Sequence, residues 1–185
     1  MARTPSTMSP LGAEAPHFEL PDTLNNNHPI SLDQIKGEKG TLVMFICNHC
    51  PFVLHVNEEL VRIGDEYIEK GIGIAAISSN DVVHYPQDGP DLMAKQGRAL
   101  GYPFPYLYDE SQEVARAYDA ACTPDFFLYD ENLKLAYRGQ LDNARPGNTE
   151  PVNGKDLRRA LEALLSGEEV YSDQKPSLGC NIKWK

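Results

Sequence analysis

Apolar residues follow two rhythms in the middle of this chain. Residues 41–46, TLVMFI, are apolar throughout after the leading threonine, which suits a strand covered on both faces. From Val53 onward the spacing becomes helical: Val53, Val56, Leu60, Ile63 and Tyr67 share one stripe. Glu58, Glu59, Arg62, Glu66 and Glu69 fall largely outside it and are expected on a solvated face. Gly71 stops the helix, and residues 72–78 form a second apolar run. Strand, helix and strand in that order predict a βαβ unit.

Around this unit the signals are shorter. Residues 1–16 are rich in Pro, Ser, Thr and Ala without periodicity and predict a surface arm. Residues 17–20 and 30–32 predict a small hairpin around the Asn25-Asn26-Asn27 turn, and Ser31 opens a helical turn closed by Gly37. A polar loop at 81–90 leads into a helix over 91–100, a strand from about Phe104 to Tyr108 and a short helix within 111–120. Residues 126–129 and 133–138 read as a hairpin around Asp130-Glu131-Asn132. Residues 141–153 read as loop, and 155–165 as an amphipathic helix on Leu157, Leu161 and Leu164 that Gly167 ends. The organisation expected is an arm at 1–13, one domain at 14–168 and a tail at 169–185.

Length and charge narrow the function classes. A chain of 185 residues buries roughly 70% of its unfolded surface and folds without disulfide staples. A net charge of -10 argues against nucleic acid or an anionic membrane as partner, since both would repel it. No apolar stretch reaches the ~20 residues of a membrane span, and the opening residues carry no hydrophobic export segment. A cytoplasmic, reducing location is the expectation.

The chemistry concentrates where the strand over 41–46 meets the helix: Cys47-Asn48-His49-Cys50-Pro51. Two residues between cysteines close a small disulfide ring, and a helix starting there aims unpaired backbone N–H groups at the sulfurs. The thiol nearest the helix start is expected to ionise readily. His49, when protonated, stabilises a neighbouring thiolate; the plainer alternative is a solvent-exposed loop residue. Zinc is a rival use of Cys and His, but a closed site needs a second ligand pair, which only Cys122 and Cys180 could bring. Copper(I) held by the cysteine pair is another. No cofactor and no resident metal are expected. His17, His28 and His84 fall in loops, and His55 lies about 140° around the helix from Cys50.

The order of elements, the CNHC pair and the Thr123-Pro124 preceding the FFLYD strand resemble a thioredoxin-fold protein. APHFELPD, the insert between Ser78 and Phe104, and YLYDESQEVARAY are similar to the peroxiredoxin-like branch, the alkyl hydroperoxide reductase and thiol-specific antioxidant group. The resemblance covers about residues 14–165. It implies a three-layer α/β thioredoxin fold, a mixed central sheet with helices on both sides, extended by the N-terminal hairpin. It implies Cys47 as exposed attacking thiol, Cys50 as resolving thiol, and Pro124 as a cis-proline facing them, with Asn48, His49, Pro51 and Thr123 shaping the site. Cys122, two residues before Pro124, is then near the site, as an accessory or a buried inert thiol. Cys180 lies in a tail that Trp184 could dock, and is either an accessory thiol or a dangling one.

Peroxiredoxins carry their peroxide-attacking cysteine where Cys50 stands, a threonine or serine where Cys47 stands, and an arginine where Pro124 stands. Two of those three elements are thioredoxin-like here. Ile46 and Thr41 occupy positions where thioredoxins carry tryptophan and a buried aspartate, so the proton acceptor for Cys50 is unassigned. The function expected is thiol–disulfide oxidoreduction on protein or small-molecule disulfides, coupled to a cellular thiol reductant or oxidant. The rivals are a thiol peroxidase acting on hydroperoxides and a metal-binding or redox-sensing module.

Overall fold

The computed structural model describes residues 3–185. Strand β1 (Arg3–Pro5) is followed by the hairpin β2 (Glu19–Asp22) and β3 (His28–Ser31) and by one helical turn, α1 (Leu32–Ile35). The central unit is β4 (Gly40–Phe45), α2 (Pro51–Ile68) and β5 (Ile72–Ser78). Next come α3 (Pro90–Leu100), β6 (Tyr106–Tyr108), α4 (Glu113–Ala117), β7 (Cys122–Thr123), β8 (Asp125–Asp130) and β9 (Leu135–Gly139). Helix α5 (Lys155–Leu165) and strand β10 (Leu178–Asn181) follow.

Seven strands form one mixed sheet in the order β3-β2-β6-β5-β4-β8-β9. Strand β4 runs parallel to β5 and antiparallel to β8, and every residue of it is buried. Its side chains alternate between two cores. Leu42, Met44 and Ile46 pack with the α2 stripe Val53, Val56, Leu60, Ile63 and Tyr67, and with Leu157 and Leu161 of α5. Val43 and Phe45 face the other way, onto Leu32 and Ile35 of α1 and Ala115 of α4. A uniformly apolar strand is what a sheet covered on both faces requires, so the expected α/β layering with helices on both sides is the one observed. The predicted N-terminal hairpin forms and continues the sheet, with Asp22 opposite Leu107 of β6. Ser31 caps α1 through a reciprocal pair of hydrogen bonds with Gln34.

Two expectations are corrected. The arm and tail do not stand apart from the domain. Arg3–Pro5 pairs with β10, which pairs with β7, making a second three-stranded sheet; residues 1 and 2 of the arm lie outside the described residues. Unsatisfied β7 backbone edge groups and apolar tail side chains, Ile182 at 1% exposure among them, drive that docking. Glu59, expected on a solvated face, is buried; its carboxylate accepts from Arg158 Nε of α5 at 2.7 Å and from Arg62 at 3.0 Å, while Glu58 beside it stays exposed. The packing of α5 over α2 covers a position that helical spacing alone leaves outside. Among the described residues no helix is long and apolar enough to cross a membrane.

Leu60 is fully buried between α2 and the sheet. Leu60→Ala is expected to cost about 2–5 kcal/mol of unfolding free energy by urea denaturation; a change near zero contradicts this placement of the stripe.

Candidate active site

The site is assembled where β4 hands over to α2. Ile46 still bonds to the sheet, its N–H on the Ile77 carbonyl at 2.9 Å. The chain then turns through Cys47, Asn48 and His49, and Cys50 becomes the N-cap of α2. Pro51 sits at the first helical position, where a missing N–H costs nothing. The Thr123–Pro124 peptide bond is cis and faces the pair. Cys47 Sγ lies 3.5 Å from Thr123 Oγ1, and Cys50 Sγ lies 3.3 Å from the Thr123 carbonyl oxygen. Cys47, Cys50, Thr123 and Pro124 are thus brought together, as the resemblance implied.

A third sulfur completes the cluster. Cys180 Sγ of β10 lies 2.7 Å from Cys50 Sγ. Cys122 is fully buried, its sulfur 3.7 Å from the Pro124 carbonyl, and burial pushes its thiol up. Cys47 and Cys50 are only 1% and 0% exposed, so the exposed attacking thiol that thioredoxins imply is not found at Cys47. Strand β10 lies along β7 with Cys180 opposite Thr123 and its sulfur against Cys50.

Charge is distributed unevenly over the three sulfurs. The Cys47 thiol donates to Cys50, and together with the Cys180 thiol and the backbone N–H of Val53 it pulls Cys50 down to about 5 against the cost of burial. Cys47 is pushed up by giving that bond, by burial and by the Asp88 carboxylate. Cys180 is pushed up to about 12, chiefly by burial and by Cys50, while Lys183 and the backbone N–H of Phe52 act in its favour. The Thr123 carbonyl suits a protonated Cys50, but two thiol donors and the Thr123 hydroxyl outweigh one carbonyl contact. Negative charge is therefore favoured at Cys50, at the helix N-terminus, where the macrodipole favours it as well.

Asp88, which no sequence signal singled out, organises the turn. It is fully buried. Oδ1 accepts from the backbone N–H groups of Asn48 at 2.8 Å and His49 at 3.3 Å; Oδ2 accepts from His49 Nδ1 at 2.6 Å and Asn80 Nδ2 at 2.9 Å. The His49 ring also stacks on Tyr85, with centroids 5.4 Å apart, and is not the solvent-exposed loop residue of the plainer reading. Tyr106 Oη donates to Asn48 Oδ1 at 3.0 Å. Ligand atoms of Cys47, His49 and Asp88 lie within 4.8 Å of one another. Each Asp88 oxygen already accepts from two donors. Thr41 is buried and binds the Gly37 N–H, so the buried acid beside the pair comes from the loop before α3 instead.

A match to the AhpC/TSA family spans residues 11–138, well over half of the chain. The chain belongs to the AhpC/TSA family. This AhpC/TSA protein is similar to an uncharacterized conserved protein from Geobacillus kaustophilus of solved structure, 55% identical, with TM-score 0.98 over 100% of this chain and 97% of that one. It is 27% identical over 165 residues to the thiol-disulfide oxidoreductase ResA of Geobacillus kaustophilus (strain HTA426), covering 87% of this chain and 82% of that protein. The thioredoxin domain of a thiol-disulfide oxidoreductase from Bacteroides vulgatus superposes with TM-score 0.62 at 17% identity, covering 83% of this chain and 99% of that one. That likeness establishes the thioredoxin-type fold of this AhpC/TSA protein.

Two measurements check the electrostatics. Thiolate absorbance near 240 nm is expected to titrate with a midpoint near pH 5 and to be absent in Cys50→Ser; a lowest thiol midpoint above pH 8 contradicts it. Because Cys50 is depressed by folding, its stabilisation is complete above the unfolded thiol value of about 8.5 and disappears as pH falls through about 5. Reduced wild type should therefore lose stability relative to Cys50→Ser across that window. Separately, Asp88→Ala orphans buried donors and is expected to cost about 1–3 kcal/mol in chemical denaturation; an unchanged midpoint contradicts its organising role.

Proposed function

We propose that this chain is a thiol–disulfide oxidoreductase that cycles through the Cys47–Cys50 couple, with Cys50 as the ionised sulfur that meets the substrate. The observation that carries the reading is Cys50 itself: N-cap of an eighteen-residue helix, hydrogen-bonded by the Cys47 thiol and pulled down to about 5. The likeness to a relative named thiol-disulfide oxidoreductase supports the same chemistry.

The Cys50 thiolate attacks one sulfur of a substrate disulfide and expels the other as thiolate, leaving a mixed disulfide. Cys47 then attacks Cys50 sulfur, releases the second substrate thiolate and closes the Cys47–Cys50 disulfide. Two electrons have passed to the substrate; its two sulfurs leave as thiols with the Cys47 proton and one from water. A cellular dithiol reverses the steps and resets the pair. Protein disulfides reach Cys50 once β10 lifts from β7, whereas small disulfides need less room.

The same Cys50 thiolate favours a second reading, hydroperoxide reduction. There it attacks the peroxide oxygen, giving an alcohol and a Cys50 sulfenic acid, which Cys47 condenses to the disulfide with loss of water. Peroxide turnover that survives Cys47→Ser and vanishes in Cys50→Ser distinguishes this case. For the main reading, wild type is expected to exchange with oxidised glutathione and Cys50→Ser to fall to background, with no mixed disulfide trapped at Cys47. A stable Cys47 mixed disulfide in Cys50→Ser overturns the assigned polarity.

A further inference from the structure

Cys50 has two sulfur neighbours, and the couple described above uses only one. The other, Cys180, arrives by a route that shows deliberate placement. Its strand β10 lies against β7 so closely that a Cβ on Gly179 would come within 2.0 Å of the Thr123 carbonyl oxygen; only glycine permits that approach. Ser177 donates its hydroxyl to the Gly139 carbonyl at 2.6 Å, and its N–H binds Ser6 Oγ at 2.9 Å. Beyond the cysteine, the Lys183 N–H binds Asn80 Oδ1 at 2.8 Å, and its carbonyl accepts from Asp81 N–H and Gln112 Nε2, each at 2.8 Å. Arg116 stacks over Trp184 at 4.4 Å. The segment is pinned on both sides of Cys180, and the sulfur it carries stops 2.7 Å from Cys50 Sγ. Cys50 caps the N-terminus of α2, and Cys180 lies against it, so one helix N-terminus stands beside both sulfurs.

We propose that Cys180 is a third redox-active thiol, and that the Cys47–Cys50 disulfide is relayed to a Cys50–Cys180 disulfide that locks the C-terminal strand over the site. The relay rests on the thiol–disulfide reading and extends it. Cys180 sulfur attacks Cys50 sulfur; the Cys47–Cys50 bond breaks, the Cys50–Cys180 bond forms, and the proton lost by Cys180 ends on Cys47. No electron enters or leaves, because one protein disulfide is exchanged for another. Only non-covalent contacts hold β10 in the reduced protein, and a covalent bond holds it after the relay. The oxidised protein is then closed to bulky disulfides until a reductant opens it.

The test is disulfide mapping on the full-length chain. Reduced wild type, Cys47→Ser and Gly179→Val are treated with oxidised glutathione, quenched with acid, alkylated, digested and read by mass spectrometry, with circular dichroism confirming that each variant is folded. Cys47→Ser is expected to yield a peptide pair joined through Cys50 and Cys180, lighter by two hydrogens than the reduced pair, and wild type to yield both disulfides. Gly179→Val, whose side chain pushes the strand off Thr123, should lose the Cys180 linkage and keep Cys47–Cys50. If Cys47–Cys50 forms in wild type while Cys180 stays fully alkylated in wild type and Cys47→Ser, the relay is overturned and the dithiol reading stands. A Cys50–Cys180 linkage in wild type with no Cys47–Cys50 disulfide in either wild type or Gly179→Val supports the Cys180 bond but overturns the relay and the dithiol reading. Absence of both overturns both.

Discussion

The first turn of an α-helix gathers positive partial charge at its N-terminus, and in this protein sulfur stands there. Cys50 is the N-cap of α2, and the Cys180 sulfur lies 2.7 Å from its own. The rest of the site follows from that arrangement. The helix axis is fixed by the packing of Val53, Val56, Leu60, Ile63 and Tyr67 against the sheet, which sets where the donors point. The CNHC turn is fixed by Asp88 and its four donors, which sets where Cys47 lies. Thr123–Pro124 closes the remaining side.

The arrangement trades access for control. A thiolate in a sealed site is costly unless it is well hydrogen-bonded, and Cys50 meets that condition through two neighbouring thiols. The same sealing excludes bulky reactants, because β10 occupies the edge of β7. Reactivity and docking are thus linked through one strand: the segment that covers Cys50 is also the segment that supplies one of its donors.

The central fold was legible in the chain. Uniform apolarity over 41–46 and the helical stripe from Val53 to Tyr67 are local patterns, and both report burial directly. The cysteine pair and the Thr123-Pro124 dipeptide were legible as short motifs. What stayed hidden depends on contacts far apart in sequence. Asp88 is one acid in a polar loop until the fold brings it to Asn48 and His49, forty residues away. The tail looked polar and unanchored because its apolar residues are few, yet Ile182 and Cys180 both enter the cores. Gly179 was the nearest thing to a signal, since a glycine inside a short strand marks close backbone approach. Glu59 looked solvated because the covering helix α5 begins nearly a hundred residues later.

The proposed chemistry requires these thiols to interconvert reversibly with a disulfide at Cys50. Equilibrating the chain across a series of glutathione redox buffers and counting alkylatable thiols tests it most directly. A single reversible transition is expected, in which two of the four cysteines are lost to alkylation, one of them always Cys50. Four alkylatable thiols at every poise, or a transition that leaves Cys50 reduced, would contradict it.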